Sequence, residues 1–428
     1  MPDRQPPETP RSPSSPPPPA GSGTLVLSGA RLADGAEVDV RVTAGRIEAV
    51  GRAGSLVDRT ARAAGCHLDL RGYLLLPAPA EPHAHHDNAL TADTDGPPSS
   101  APREVQRRTT EAALLQLGHG TTAIRTHVRI DDHTAPRTLQ AVLGARRELR
   151  GLTDLGVVAV PRLLTGVAGA RTLALLRDAV RMGADVLGGC PDLDPDPAGY
   201  AEAVLSLAAE HGCAVDLHTD AADPARLTRL AAMARGLRPG VTLGPCGGLA
   251  RMPPAVAARV AEQLADSEVR VVTLPQGDCG YRTRPAPSTA FTAFTAPVRL
   301  LRAAGVHVAA GSGALRDTRN PVGRGDPLEA AYLLAARGEA TPEEAYAAVS
   351  ARARTVLGLP PVRVEAGFPA ELLAVRGQTL PGVLSLGYSR VVVHRGRVVA
   401  RTSAVREFCS PADTAEGAGL SLPRQAQG

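Results

Sequence analysis

Lysine is absent from the chain. All 47 basic residues are arginine, which removes Schiff-base catalysis, a P-loop lysine and a carbamylated lysine bridging two metals. Tryptophan is missing too, and aromatic residues make up only 2% of the chain, so the stacking platforms used to grip single-stranded nucleic acid are not available. The formal charge of +4 is spread along the sequence rather than gathered on one stretch, and nucleic acid is not an expected partner. No apolar stretch approaches the ~20 residues needed to cross a bilayer, so no membrane partner is expected either. The six cysteines (Cys66, Cys190, Cys213, Cys246, Cys279 and Cys409) form no C-x-x-C pair, as suits free thiols in a reducing, cytoplasmic setting. A secretory apolar core is also lacking: residues 1–22 are rich in Pro and Ser and read as a disordered tail.

Against these absences one stretch stands out. The apolar run Leu74-Leu75-Leu76 enters a proline-rich turn and then presents Glu81-Pro82-His83-Ala84-His85-His86-Asp87. Side chains alternate along a strand, so His83 and His85 share one face and His86 takes the other. Two imidazoles on one face at the carboxyl end of a strand make half of a metal site.

The length of 428 residues exceeds one ordinary domain unless that domain is a barrel. After the H-x-H strand, strand-like and helix-like segments alternate, with strands at Thr121–Val128, Val157–Val160, Asp185–Gly188, Ala214–His218, Val241–Leu243, Val269–Val272 and His307–Ala310. Eight such β units predict a TIM-type (β/α)8 barrel over residues 73–357, with chemistry at the carboxyl ends of its strands. Short alternating strands occur on both sides of it, at 23–72 and 358–402. They are expected to pair into one small composite β-sandwich built from both chain ends, followed by a flexible tail at 403–428. On this barrel the fifth strand offers His218 and Asp220, so three histidines from two strands can converge on one divalent ion. The structural alternative for His218 is a satisfied core histidine.

At this point the sequence resembles cytosine deaminase and its relatives in the amidohydrolase superfamily, from Thr24 to about Thr402. The resemblance is carried by Glu81-Pro82-His83-Ala84-His85, Arg125-Thr126-His127-Val128, Val215 to Asp220, Gly305-Val306-His307-Val308 and Val392-Val393-His394-Arg395-Gly396. It implies a mononuclear zinc or iron held by His83, His85 and His218. It also implies an aspartate at the end of strand eight, a glutamate after the strand-five histidine and a histidine ending strand six. This chain departs at each of those three: the positions hold Gly313, Ala221 and Pro245. The family's substrate-contacting glutamine falls at Arg162, and the acidic neighbour of the strand-eight ligand at Ala314.

The departures are of one chemical kind. Hydrolytic deamination needs an activated water, a base to take its proton and an acid for the leaving nitrogen. Each lost acid–base group costs about 100-fold to 10,000-fold, so cytosine itself is not the expected substrate. Asp220 is the candidate substitute base, with Cys246 and Asp317 as weaker candidates; the structural alternatives are an Arg-paired Asp220, a small buried Cys246 and a turn-forming Asp317. His127 and Arg125 are read as pocket-shaping groups, His127 as a substrate contact. Arg162, if buried in the pocket, favours an anionic ligand; its alternative is a solvent-facing Arg. Two functions therefore remain open: a divergent, deaminase-type hydrolase of a non-peptide carbon–nitrogen bond in a small substrate other than cytosine, anionic if Arg162 lines the pocket, and a catalytically inactive barrel that binds a small ligand or partner subunit. Homo-oligomerisation is left open.

Overall fold

The computed structural model describes residues 23–57, 67–94, 96–130, 134–277 and 295–404. The tails expected at 1–22 and 403–428 lie outside these apart from residues 403 and 404, as do Cys66, Cys279 and Cys409. The chain enters through β1 (Leu25–Arg31), β2 (Glu37–Thr43), β3 (Arg46–Arg52), β4 (His67–Asp69) and β5 (Tyr73–Pro77). Next come β6 (Ala80–Ala84), α1 (Pro102–Gly118), β7 (Ala123–Arg129), α2 (Ala135–Glu148), β8 (Asp154–Val160), α3 (Gly166–Met182) and β9 (Val186–Gly189). These lead to α4 (Pro197–His211), β10 (Ala214–Thr219), α5 (Pro224–Ala234), β11 (Val241–Pro245), α6 (Pro254–Asp266), β12 (Arg270–Thr273), α7 (Val298–Ala303) and β13 (Val308–Ala310). After α8 (Pro327–Ala336), α9 (Pro342–Val349) and α10 (Ala351–Val356), the chain returns through β14 (Leu372–Arg376), α11 (Leu380–Leu386), β15 (Arg390–His394) and β16 (Arg397–Thr402).

Strands β6 to β13 lie side by side in sequence order, and a parallel bridge between Ala84 and Gly313 closes the sheet on itself. This is the (β/α)8 barrel that the alternation predicts. Three of its helices start at an Asp-Pro pair: Asp196, Asp223 and Asp326 each accept a first-turn backbone N–H, and the following proline takes a position where its missing N–H costs nothing. Among the described cysteines, Cys213 and Cys246 are free thiols.

The strands from the two chain ends form a single sheet in the order β16-β15-β14-β5-β1-β2-β3, with β4 paired to β1. Here the structure corrects one expectation: the run Leu74-Leu75-Leu76 is not the strand that carries the histidines. It is β5, antiparallel to β14 in the end sheet, and the barrel begins only at Ala80, after Pro77-Ala78-Pro79. The physical reason is burial on both faces. Leu74 and Leu76 pack into the barrel's main core with Leu373, Val375 and Val392, whereas Leu75 packs into the sheet's own core with Leu372, Ala374, Val391 and Val393. A strand covered on both sides reads as a continuous apolar run rather than an alternating one. The long apolar stretch at Arg390–Val399 likewise divides into β15 and β16, an antiparallel hairpin turning at Arg395-Gly396.

The end sheet is pinned to the barrel by a buried fork. Arg390 donates from Nη1 to Asp326 Oδ1 at 2.8 Å and from Nη2 to Asp326 Oδ2 at 2.7 Å, and Nη1 also reaches the carbonyl of His119. The side chains are 7% and 4% exposed. Burial works against ionisation of Asp326, but the Arg390 guanidinium outweighs it and holds the carboxyl below its ordinary range. Asp326→Ala is therefore expected to cost about 3–5 kcal/mol, because it leaves a buried guanidinium unpaired. The folded-state pKa is depressed, so the contribution is complete above the unfolded carboxylate's ~4 and disappears as pH falls through the lower folded value. Urea unfolding midpoints of both proteins at descending pH check this; equal midpoints at pH 7 would refute it.

Candidate metal centre

Three strands deliver the site, each placing a charged residue two positions before a histidine. Glu81 precedes His83 on β6, Arg125 precedes His127 on β7 and Asp216 precedes His218 on β10. Residues two apart on a strand share a face, so the barrel interior carries a charged layer with an imidazole layer above it. In the lower layer Arg125 Nη1 donates to Asp216 Oδ2 at 3.0 Å, and Nη2 donates to the carbonyl of Val356. The pair is buried, at 5% and 0% side-chain exposure. Arg125 thus ties β7 to β10.

Above it the imidazoles of His83, His127 and His218 stand with ring centroids 4.2 to 4.7 Å apart, and His85 joins them at 5.1 to 5.2 Å. One ring nitrogen from each of the four lies within 4.8 Å of those of the others. His218 Nε2 faces His85 Nε2 at 3.2 Å, and His127 donates from Nδ1 to the carbonyl of Ala84 at 3.2 Å. The three histidines read from the sequence as ligands therefore come together, and His127, read as a substrate contact, stands among them. His86 points away, as strand alternation demands, and bonds Gln116 Oε1 at 2.9 Å.

A divalent ion fits this donor set. Ligation needs neutral imidazole, and desolvation, reinforced for His83, His85 and His127 by the neighbouring imidazoles, lowers the pKa of all four rings, that of His218 to about 4. His127 donates through Nδ1 to a backbone carbonyl, the outer-shell arrangement that fixes a ligand's tautomer.

The remaining sequence candidates lie elsewhere. Asp220 is ion-paired with Arg251, and its backbone N–H donates to Asp192. Arg162 is exposed at the end of β8, so the buried guanidinium that an anionic ligand would need is not there. Asp317 accepts the backbone N–H groups of Arg319 and Asn320, forming a turn. Cys246 is fully buried, and desolvation pushes its thiol pKa upward. Ala221 and Gly313, two of the positions where acid–base residues were expected, and Cys246, which follows the third, take left-handed backbone at φ 55°, 69° and 57°. A cavity of about 300 Å³ opens beside the end of β10, with Asp192, Thr219, Ala221 and Arg226 among its lining residues and no imidazole of the cluster.

A sequence profile described as the amidohydrolase family matches residues 90–400. The chain belongs to the amidohydrolase family. This amidohydrolase is 28% identical over 398 residues to a pterin deaminase of Rhizobium rhizogenes, covering 86% of this chain and 88% of that one. Among solved structures it is similar to N-isopropylammelide isopropylaminohydrolase from Burkholderia multivorans, with a TM-score of 0.74 and 27% identity over 89% of this chain and 98% of that one. A 5-methylcytosine deaminase from Klebsiella pneumoniae shares the fold at a TM-score of 0.77 and 22% identity, covering 90% and 100% of the two chains.

What positions the H-x-H pair in this amidohydrolase is Glu81. Its Oε1 accepts the backbone N–H of His83 at 3.0 Å, and its Oε2 accepts the backbone N–H of Ser312 at 2.9 Å and the Ser312 hydroxyl. Burial raises its pKa to about 7 against the lowering effect of those donors. Glu81→Gln swaps an acceptor for a donor opposite an N–H and is expected to cost about 1–3 kcal/mol through one unsatisfied amide. Chemical denaturation of the metal-free protein measures it, and an unchanged midpoint would show that the seam does not need the carboxylate.

Proposed function

We propose that this amidohydrolase holds one divalent metal ion, zinc or iron, at His83, His85 and His218, and hydrolyses a non-peptide carbon–nitrogen bond in a small nitrogen heterocycle. The observation that carries the reading is the convergence of the imidazole nitrogens within 4.8 Å at the carboxyl ends of the barrel strands, where barrel chemistry is found. When bound, such an ion supplies Lewis acidity and eases loss of a proton from water at neutral pH. The heterocycle is suggested by the relatives named for pterin and N-isopropylammelide. An exposed Arg162 suits a neutral substrate better than an anionic one.

The chain's own part is to hold the donors. Glu81 fixes the backbone beneath His83, and the Arg125–Asp216 pair joins the two strands that carry His127 and His218. Asp220 can act as a base only by leaving Arg251. One observation favours a second reading, a barrel that binds a small molecule without turnover: Ala221, Pro245 and Gly313 carry no proton-transferring side chain.

Metal analysis of protein purified without chelator is expected to find close to one ion per chain, lost in the His83→Ala/His85→Ala double variant. A well-folded wild-type chain that takes up no metal ends the proposal. With metal present, release of ammonia or amine from aminopteridines and N-alkylated triazines supports the hydrolase, and tight binding without release supports the second reading. Asp220→Ala is expected to lower turnover by less than about tenfold, whereas loss of a positioned base would cost about 100-fold or more.

A further inference from the structure

We propose, on the reading that the histidine cluster takes a divalent ion, that His127 is the fourth protein ligand, supplied by β7 in place of the aspartate missing from the end of β13. The swap is argued from both ends of the exchange.

On the losing side, no carboxylate of the strand-eight segment is available among the described residues. Gly313 bridges directly to Ala84, the residue between His83 and His85, and carries no side chain. Ser312 is engaged by Glu81 and Gln116. Ala314 is buried and apolar. Asp317 spends one oxygen on the amides of Arg319 and Asn320, and its other accepts from Asn88 at 3.4 Å.

On the gaining side, the His127 ring centroid lies 4.2 Å from that of His83 and 4.7 Å from that of His218. With Nδ1 held by the Ala84 carbonyl, Nε2 is the nitrogen left for a ligand. It is buried and has no hydrogen-bond partner among the described residues. It faces Asp216 Oδ1 at 3.5 Å, and that oxygen also lacks a hydrogen-bond partner. Two buried acceptors facing each other is an arrangement that a cation beside them would satisfy. The outer-shell partner behind the ring is the Ala84 carbonyl on Nδ1, while Asp216 lies on the Nε2 side and is paired with Arg125.

The exchange keeps the number of protein ligands and changes their charge. Four neutral imidazoles replace three imidazoles and a carboxylate, so an ion here keeps its full charge. An all-nitrogen set also suits zinc, iron, nickel or copper over the oxygen-seeking magnesium and manganese.

The test uses the full-length protein, stripped of metal and reloaded with zinc or cobalt(II). His127→Asn keeps an amide N–H toward the Ala84 carbonyl and removes Nε2. It is expected to bind zinc more than about 100-fold more weakly than wild type, beyond the ~10–100-fold cost of losing an outer-shell partner. Its cobalt(II) absorption spectrum should differ from wild type, while the metal-free proteins melt together. A His127→Asn protein with wild-type spectrum and affinity within about threefold, well inside that outer-shell range, overturns the proposal and leaves His127 as a positioning group paired with Asp216. If the variant does not fold, X-ray absorption of the loaded wild type decides: four imidazoles support the exchange, and three overturn it. A wild-type chain that binds no metal at all is a different failure, that of the metal-centre reading itself.

Discussion

The structure depends on how its parallel cylinder is closed. The last barrel strand, β13, contributes only Val308–Ala310, and the cylinder's two edges share one bridge, between Ala84 and Gly313. Pro82 has no N–H to offer a ladder. The carboxylate of Glu81 fills the gap by accepting amides from both sides of the seam, those of His83 and Ser312. Space for it comes from Gly311, where a Cβ would stand 2.5 Å from Glu81 Oε1. A buried polar group of this kind is tolerated because its bonds are made. Since one of those bonds is to His83 itself, the closure of the barrel and the placement of the clustered imidazoles are one interaction.

Above the seam, the interior separates charge from ligation. Arg125 and Asp216 neutralise each other in one layer, and the imidazoles occupy the next. A hydrolytic metal site has two tasks, holding an ion and moving protons. Side chains that could serve the first come from three strands held by buried hydrogen bonds. The second would need groups at the strand-end turns, where Ala221, Pro245 and Gly313 now stand.

Much of this was legible in advance. The barrel strands could be read from their alternation. His83, His85 and His218 followed from strand ends and from the family resemblance. One feature was misread for an identifiable reason. Leu74-Leu75-Leu76 looked like the first barrel strand because an apolar run does not say which sheet buries it. His127 was expected as a substrate contact, and its standing among the other imidazoles was not foreseen because the family's fourth ligand is sought on strand eight. A signal for it was present: Glu81-x-His83, Arg125-x-His127 and Asp216-x-His218 repeat one pattern, and the opposite charges of Arg125 and Asp216 suggest that those two strands face each other.

Local order of strand and helix, the same-face pairing of His83 and His85 and the loss of the acid–base residues belong to the amino-acid sequence, because each is a matter of neighbours along the chain or of residue identity. The meeting of His127 with His218, and of Arg125 with Asp216 across 91 residues, belongs to the folded cylinder. Strands that are not adjacent in the sheet come into contact only when it curls shut, and the register of that closure is set by a carboxylate, a glycine and a single bridge at one seam.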